Sequence, residues 1–301
     1  MLELWIPITI AAAFLQNLRS AVQKHLRGRL STLATSYSRF CFGLPFASLY
    51  LIGLSNFSEF DVPSANTRFV LFCLVGGCAQ IIGATLLVYL FSLRNFAVGA
   101  TYSKTEVIQT ALFGIIILGD SLSASAVMAI LVSLVGVMTL SIGKRRVSGR
   151  SLLFAWTQRT ALLGFAIGTC YAVAAVSFRA ASLSLDGDGV LIRAALTLVW
   201  VTAFQTIVMG AYLHRREPGQ LTCVIRAWPS AILGGLSGVM ASACWFTAYT
   251  IQTAAYVSAV GQIELVFSFV ASVLFFKERS SVVEVVGIVL VIVGLLILVL
   301  T

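Results

Sequence analysis

Two glutamates, Glu106 and Glu264, each lie about ten residues inside an apolar stretch of roughly twenty residues, the length that crosses the hydrocarbon core of a bilayer. At 1.5 Å per helical residue each carboxyl is roughly 15 Å deep, near the midplane. A carboxylate there costs a few kcal/mol, can carry a proton, and is by default a functional group whose partner must be found. The two acids are 158 positions apart, and the offset recurs. It relates Gly76-Gly77 to Gly234-Gly235, Lys104 to Gln262, Asp120 to Glu278 and Gly136 to Gly294, so one duplicated unit built the chain.

Other polar groups fall within apolar stretches. Tyr102, Glu106, Gln109 and Thr110 share one helical face, whereas Lys104 points roughly 200° away from Glu106 and needs a different partner. Arg39 and Arg193 enter to depths matching Glu106 and Glu264, which allows two structural ion pairs, Arg39 with Glu106 and Arg193 with Glu264, as the alternative to a transport role for the acids. Gln16, Arg19, Ser20 and Gln23 form one stripe of the first stretch, where Arg19 either faces a cavity or snorkels to the surface. Its counterpart in the sixth stretch, Cys170, Val173, Ala174 and Ser177, is much more apolar. Gly76, Gly77, Gln80, Gly83 and Ala84 permit close helix approach opposite Gly238, Ser242, Trp245 and Tyr249. Gln80 in mid-span suits a cavity, and Trp245 suits either a substrate platform or ordinary packing. The expected substrate or coupling residues are therefore Glu106, Glu264, Lys104, Gln16, Arg19, Gln80, Tyr102, Gln109, Trp245, Tyr249 and Gln262.

The elements that hold these residues follow from composition. Of 301 residues 59% are hydrophobic and 10% charged, against roughly 25% charged in a soluble domain. Continuous apolar runs select helices, at about 4–23, 31–54, 69–92, 97–118, 123–142, 158–180, 188–211, 227–249, 254–276 and 281–300. The first run has no basic leader, its only early charge being Glu3, and reads as a permanent helix rather than a cleaved signal. Five spans per half deliver the second copy upside down. The fold class is all-α integral membrane, ten transmembrane helices as two inverted five-helix repeats: 1–143, a basic linker 144–157, and 158–301.

Six scattered cysteines lack CxxC or metal-ligand spacing, so neither disulfides nor a metal is expected, and no cofactor is implied. No GxxxxGK[ST], HExxH or GxSxG occurs, and His25 and His214 are far apart. This argues against ATP hydrolysis by this chain and against an enzyme. A passive channel or a membrane enzyme acting on small or lipid-like molecules is the remaining alternative.

The segment Ala111–Leu140, ALFGIIILGDSLSASAVMAILVSLVGVMTL, and its counterpart Phe269–Leu298, FVASVLFFKERSSVVEVVGIVLVIVGLLIL, each run an apolar helix into a short acidic turn (Gly119-Asp120, then Lys277-Glu278) and a Gly-containing helix. Both resemble the closing signature of the EamA module, and the whole chain resembles ten-helix members of the drug/metabolite transporter superfamily. The resemblance implies a bacterial inner-membrane permease, a monomer or homodimer. It would export amino-acid-like or other small organic compounds by alternating access, with proton coupling or exchange, through a cavity bounded by helices one, three, four, six, eight and nine. The in-span arginines and Lys104 exceed the two glutamates, which favours a substrate bearing a carboxylate.

The net charge of +9 is distributed asymmetrically over the loops, which makes it a topology signal rather than a sign of nucleic-acid binding. The side holding neither terminus carries fourteen basic residues, including Lys144-Arg145-Arg146, and the terminal side only Arg68 and Arg179. The basic side is then cytoplasmic and both termini lie outside, although many relatives of this type are expected to keep theirs in the cytoplasm. A C-terminal reporter active only in the cytoplasm should stay silent, and one active only outside should give signal; the reverse pattern inverts the topology.

Overall fold

The structure, a computed structural model, describes residues 3–26, 30–57, 60–93, 96–145, 159–274 and 281–300. Most of the basic linker and the Lys277-Glu278 turn lie outside them. All ten expected stretches are helical, with no strand among the described residues. Helix α1 is Trp5–Leu26, α2 Thr32–Phe57 and α3 Thr67–Ser92. The fourth stretch is divided into α4 Phe96–Tyr102, a 3₁₀ turn Ser103–Thr105, α5 Glu106–Phe113 and a π-helical turn Gly114–Leu118, and α6 is Ala124–Arg145. The second half runs α7 Arg159–Leu183, α8 Val190–Arg216, a short α9 Gln220–Arg226, α10 Trp228–Ile251, α11 Ala254–Gly261, α12 Ile263–Leu274 and α13 Val282–Leu300. Six helices among the described residues are long and apolar enough to cross a membrane. On α13 the exposed stripe Val285, Val289, Ile292, Leu296 follows helical spacing, as a face turned to lipid should.

The repeats divide the sequence, but the compact units draw on both of them. The first unit comprises Met1–Ile6, Ile82–Val176 and Thr253–Thr301; the second comprises Pro7–Ile81 and Ser177–Gln252.

In the first unit α6 packs on α13 through glycines. A Cβ on Gly136 would fall 2.6 Å from Val291 N and 2.8 Å from Gly287 O; a Cβ on Gly294 would fall 2.7 Å from Ser133 N and 2.9 Å from Ala129 O. Gly136 and Gly294, Ser133 and Val291, and Ala129 and Gly287 are each 158 positions apart, so the two contacts are symmetry mates. The early part of α7 docks in the same way. Gly164 lies directly on the carbonyl of Gly99, and a Cβ on Gly168 would meet Ser103 O at 3.0 Å and Glu106 N at 3.2 Å. This Gly-x-x-x-Gly pair gives close backbone approach where lipid supplies no hydrophobic drive.

The second unit repeats the logic with the Gly-Gly pairs. On α3, Gly76 lies against Phe178 of α7 and Gly77 against Phe204 of α8. On α10, Gly234 faces Val22 of α1 and Gly235 the backbone of Phe42 in α2. Each repeat's third helix thus uses its two glycines on the first and second helices of the other repeat. At one end Leu26, Leu30, Ala34, Leu213, Val224 and Ala231 form a buried cluster.

Gly164→Ala would set its Cβ 2.0 Å from a backbone oxygen and should cost roughly 1–3 kcal/mol. Gly53→Ala, with nothing within 4 Å, should be neutral or stabilise by up to about 1 kcal/mol. Thermal unfolding of the purified variants in one detergent checks both signs.

Candidate functional site

Both glutamates sit immediately after a local break in their helix. In the fourth span the hydroxyls of Ser103 and Thr105 bond back to the carbonyls of Ala100 (2.9 Å) and Tyr102 (2.7 Å). Side-chain oxygens that compete for backbone partners in this way loosen regular α-helix. The chain tightens into the 3₁₀ turn, the N–H of Glu106 bonds to Ser103 O, and Glu106 opens α5. In the ninth span the tightening is centred on Gln262, whose N–H bonds to Ala259 O (3.1 Å) while its carbonyl accepts from Leu265 N–H (3.0 Å). Glu264 lies in the first turn of α12. At an offset of 158, residues 103–105 map onto 261–263, so the two breaks are the same feature of the repeat.

The breaks bring charges together. Lys104 Nζ donates to Glu264 Oε1 at 2.7 Å, with the side chains 25% and 20% exposed. Glu106, half-buried, interacts electrostatically with both members of the pair. Glu264, for which Arg193 is the partner expected from depth, accepts from Lys104 within its own unit. Lys104 sits in the 3₁₀ turn, outside regular α-helical register. Gln262, 7% exposed, donates weakly from Nε2 to Ser258 O (3.4 Å), and its Oε1 is buried with no hydrogen-bond partner among the described residues. Gln109 has a structural task. Its amide donates to Thr105 Oγ1 (2.8 Å) and accepts from Thr169 Oγ1 (2.6 Å), clamping α5 to α7. Tyr102 is half-buried and shares its carbonyl with Thr105.

The remaining expected residues belong to the second unit. Arg19, Arg39 and Gln80 line one pocket together with Thr202, Gln205, Gly238 and Ser242. Arg39 holds its guanidinium 4.2 Å over the Phe40 ring. Trp245 donates from Nε1 to Gln16 Oε1 (3.2 Å), tying α10 to α1, and stacks on Tyr249 at 5.7 Å. Arg193, expected as a structural partner, lies on α8, half-buried.

Sequence reasoning missed two residues here. Gln205, 1% exposed, donates to Gln80 Oε1 at 2.7 Å; a mid-span amide was the available signal, the same one that singled out Gln80. Arg179, counted among the terminal-side charges, lies near the C-terminal end of α7 and donates to the carbonyls of Tyr249 (2.8 Å) and Gln252, capping the C-terminus of α10.

Residues 3–142 and 158–300 each match the family described as the EamA-like transporter family. One solved crystal structure of a protein shares the fold with a TM-score of 0.69 at 13% identity, covering 98% of this chain and 96% of that chain. No curated protein sequence matches the chain.

Removing one partner of the Lys104–Glu264 pair strands the other charge. Lys104→Met and Glu264→Gln should each lower stability by roughly 1–3 kcal/mol, and the double variant should lose less than the sum of the two. A thermal-unfolding double-mutant cycle gives the coupling; additive losses would mean that the pair contributes nothing.

Proposed function

Because the chain belongs to the EamA-like transporter family, a family of multi-pass membrane transporters, we propose that it carries small amino-acid-like or related carboxylated solutes, with Lys104 and Glu264 as the binding and coupling pair. The observation that carries the reading is the 2.7 Å ion pair between two helices, each broken next to its charged residue. Mid-span breaks of this type open backbone and side chain to a solute where continuous helix would hide them.

The chemistry follows from charge balance. With Glu264 ionised, Lys104 is neutralised from within the protein. A proton on Glu264 releases the ammonium, which then accepts a solute carboxylate, and the local charge is unchanged by the exchange. Loss of the proton restores the internal pair and expels the carboxylate. Gln262 Oε1, buried with an unused acceptor among the described residues, suits a donor such as the solute's ammonium. A proton therefore travels with the carboxylate, and export occurs when the solute's own gradient is directed outward. Exchange of one solute for another uses the same pair without net proton movement. The setting is a bacterial inner membrane with the basic loops in the cytoplasm, and the protein acts as a monomer or homodimer without nucleic acid or cofactor.

Proteoliposomes tested with a panel of labelled amino acids and small carboxylates under an imposed pH gradient check this reading. The wild type should move at least one member saturably, and faster when a proton gradient runs in the same direction. Glu264→Gln should retain exchange but lose the response to the gradient, and Lys104→Ala should raise KM about ten-fold or more for the carboxylated solute. Full gradient dependence in Glu264→Gln would overturn the coupling assignment. Unchanged transport in Lys104→Ala would remove Lys104 from the site.

A further inference from the structure

The second unit carries an exposed surface whose chemistry changes in order along one helix face. Helix α8 is long and apolar enough to cross a bilayer, and it ends at Arg216. Two rows of exposed residues at i, i+4, i+8 spacing run along its last turns, Ile207, Ala211 and Arg215 beside Val208, Tyr212 and Arg216. Each row begins apolar and ends, about 12 Å further on, in a guanidinium group. Tyr212 lies midway along its row. Hydrocarbon, aromatic ring and cation in that order is the succession met on leaving a bilayer core for its head groups.

The next segment returns to the same boundary. Helix α9, about 10 Å long, packs on α8, α2 and α10. Its Val224 belongs to the buried cluster with Leu213 and Ala231, which leaves Ile225 and Arg226 exposed, and Trp228, 57% exposed, follows at the start of α10. From there the exposed stripe Leu233, Leu236 and Met240 leads along α10. Arg215, Arg216 and Arg226 thus stand at one end of the unit, flanked by two apolar stripes. None of the three forms an ion pair among the described residues. The acid nearest in sequence, Glu217, is half-buried and accepts from Ser31 Oγ, which also caps the first turn of α2 by accepting from Ala34 N–H (3.1 Å). At the other end of α8 the sign is reversed. Asp186 and Asp188 precede the helix there, Asp61 adjoins Phe60, which lies against Gly189, and these three exposed acids accompany the exposed Arg68.

We propose that the basic end of the second unit binds an anionic phospholipid of the surrounding bilayer, with Arg215, Arg216 and Arg226 on its phosphate and its chains along the exposed stripes of α8 and α10. Guanidinium groups hold a phosphate through paired N–H donors, and each basic residue near an anionic surface adds to the attraction. A zwitterionic lipid offers the same phosphate but cancels its charge with its own ammonium, so net negative charge is the selecting feature. The bound lipid clasps α8 to α10 beside the short α9 and stabilises the folded state. The assignment stands whether or not the chain carries a carboxylated solute, because it is read with no solute present.

The test is thermal unfolding of the full chain in phosphatidylcholine nanodiscs containing a rising fraction of phosphatidylglycerol, at constant ionic strength. The Tm should rise saturably with that fraction. Arg216→Gln should raise the fraction that gives the half-maximal shift about five-fold, and combining it with Arg215→Gln and Arg226→Gln should abolish saturation. Arg68→Gln, which removes an exposed cation at the other end of the unit, should respond like the wild type. Native mass spectrometry should show phosphatidylglycerol retained by the wild type and by Arg68→Gln and lost from the triple variant, a reading that decides the matter if a variant's own stability changes. An equal response of the triple variant and the wild type, an equal loss in Arg68→Gln, or the same stabilisation by inorganic phosphate added to pure phosphatidylcholine discs would each overturn the assignment.

Discussion

Inside hydrocarbon every backbone N–H and C=O must find a partner within the protein, and this requirement governs where the chain can depart from helix. Here the departures occur where side chains or a tightened turn take over the hydrogen bonds. Ser103 and Thr105 return their hydroxyls to the preceding turn, and Glu106 N–H is satisfied by a 3₁₀ bond to Ser103. Gln262 is held by two bonds of the same shortened type. Where α10 ends, the guanidinium of Arg179 supplies donors to the carbonyls of Tyr249 and Gln252. At each break the backbone N–H groups of Glu106 and Gln262 are satisfied locally, and the breaks in the fourth and ninth spans place Lys104, Glu106 and Glu264 on or beside tightened backbone.

Since lipid tails are as apolar as leucine, burial alone does not hold helices together here, and close backbone contact has to do so. The glycine contacts show how. Gly136 and Gly294 make equivalent contacts in the α6–α13 pair, and the Gly-Gly pairs of α3 and α10 each face the first two helices of the opposite repeat. Contacts made across repeats in this reciprocal way explain why the compact units fail to coincide with the repeats. A duplicated five-helix segment leaves its small-residue faces uncovered when alone, and the matching faces are carried by the other copy. The duplication is visible in the sequence as an offset and in the fold as exchanged partners.

How much of this was legible depended on the range of the interaction. Apolar run length fixed the helices, because a span is a local property, and the recurring offset exposed the two copies. Glu106 and Glu264 were visible because a carboxylate in a twenty-residue apolar run is anomalous wherever it packs. The Lys104–Glu264 bond was not visible, since helical-wheel geometry assumes an unbroken helix and Lys104 sits within a 3₁₀ turn. Gln109 stood out because its amide is polar; that it bridges Thr105 and Thr169 was not visible, since the bond to Thr169 spans 60 residues. Arg179 was counted as a topology charge because it lies beside the end of its span, 158–180; that it reaches the carbonyls of Tyr249 and Gln252 is a contact 70 residues away.

The asymmetry between the two copies separates the glutamates. Under the repeat offset Lys104 maps onto Gln262 and Glu264 onto Glu106, so the mate of the Lys104–Glu264 pair is Gln262 with Glu106. That second pairing is between an amide and an acid and lacks a countercharge. A fully symmetric duplication, with lysine in both copies, would hold two equivalent ion pairs. With glutamine at 262, Glu264 has a lysine partner and Glu106 has none at the mate position. In the coupling proposed above, where a proton on Glu264 frees Lys104, this difference confines the exchange to a single pair and provides one lysine for one solute carboxylate.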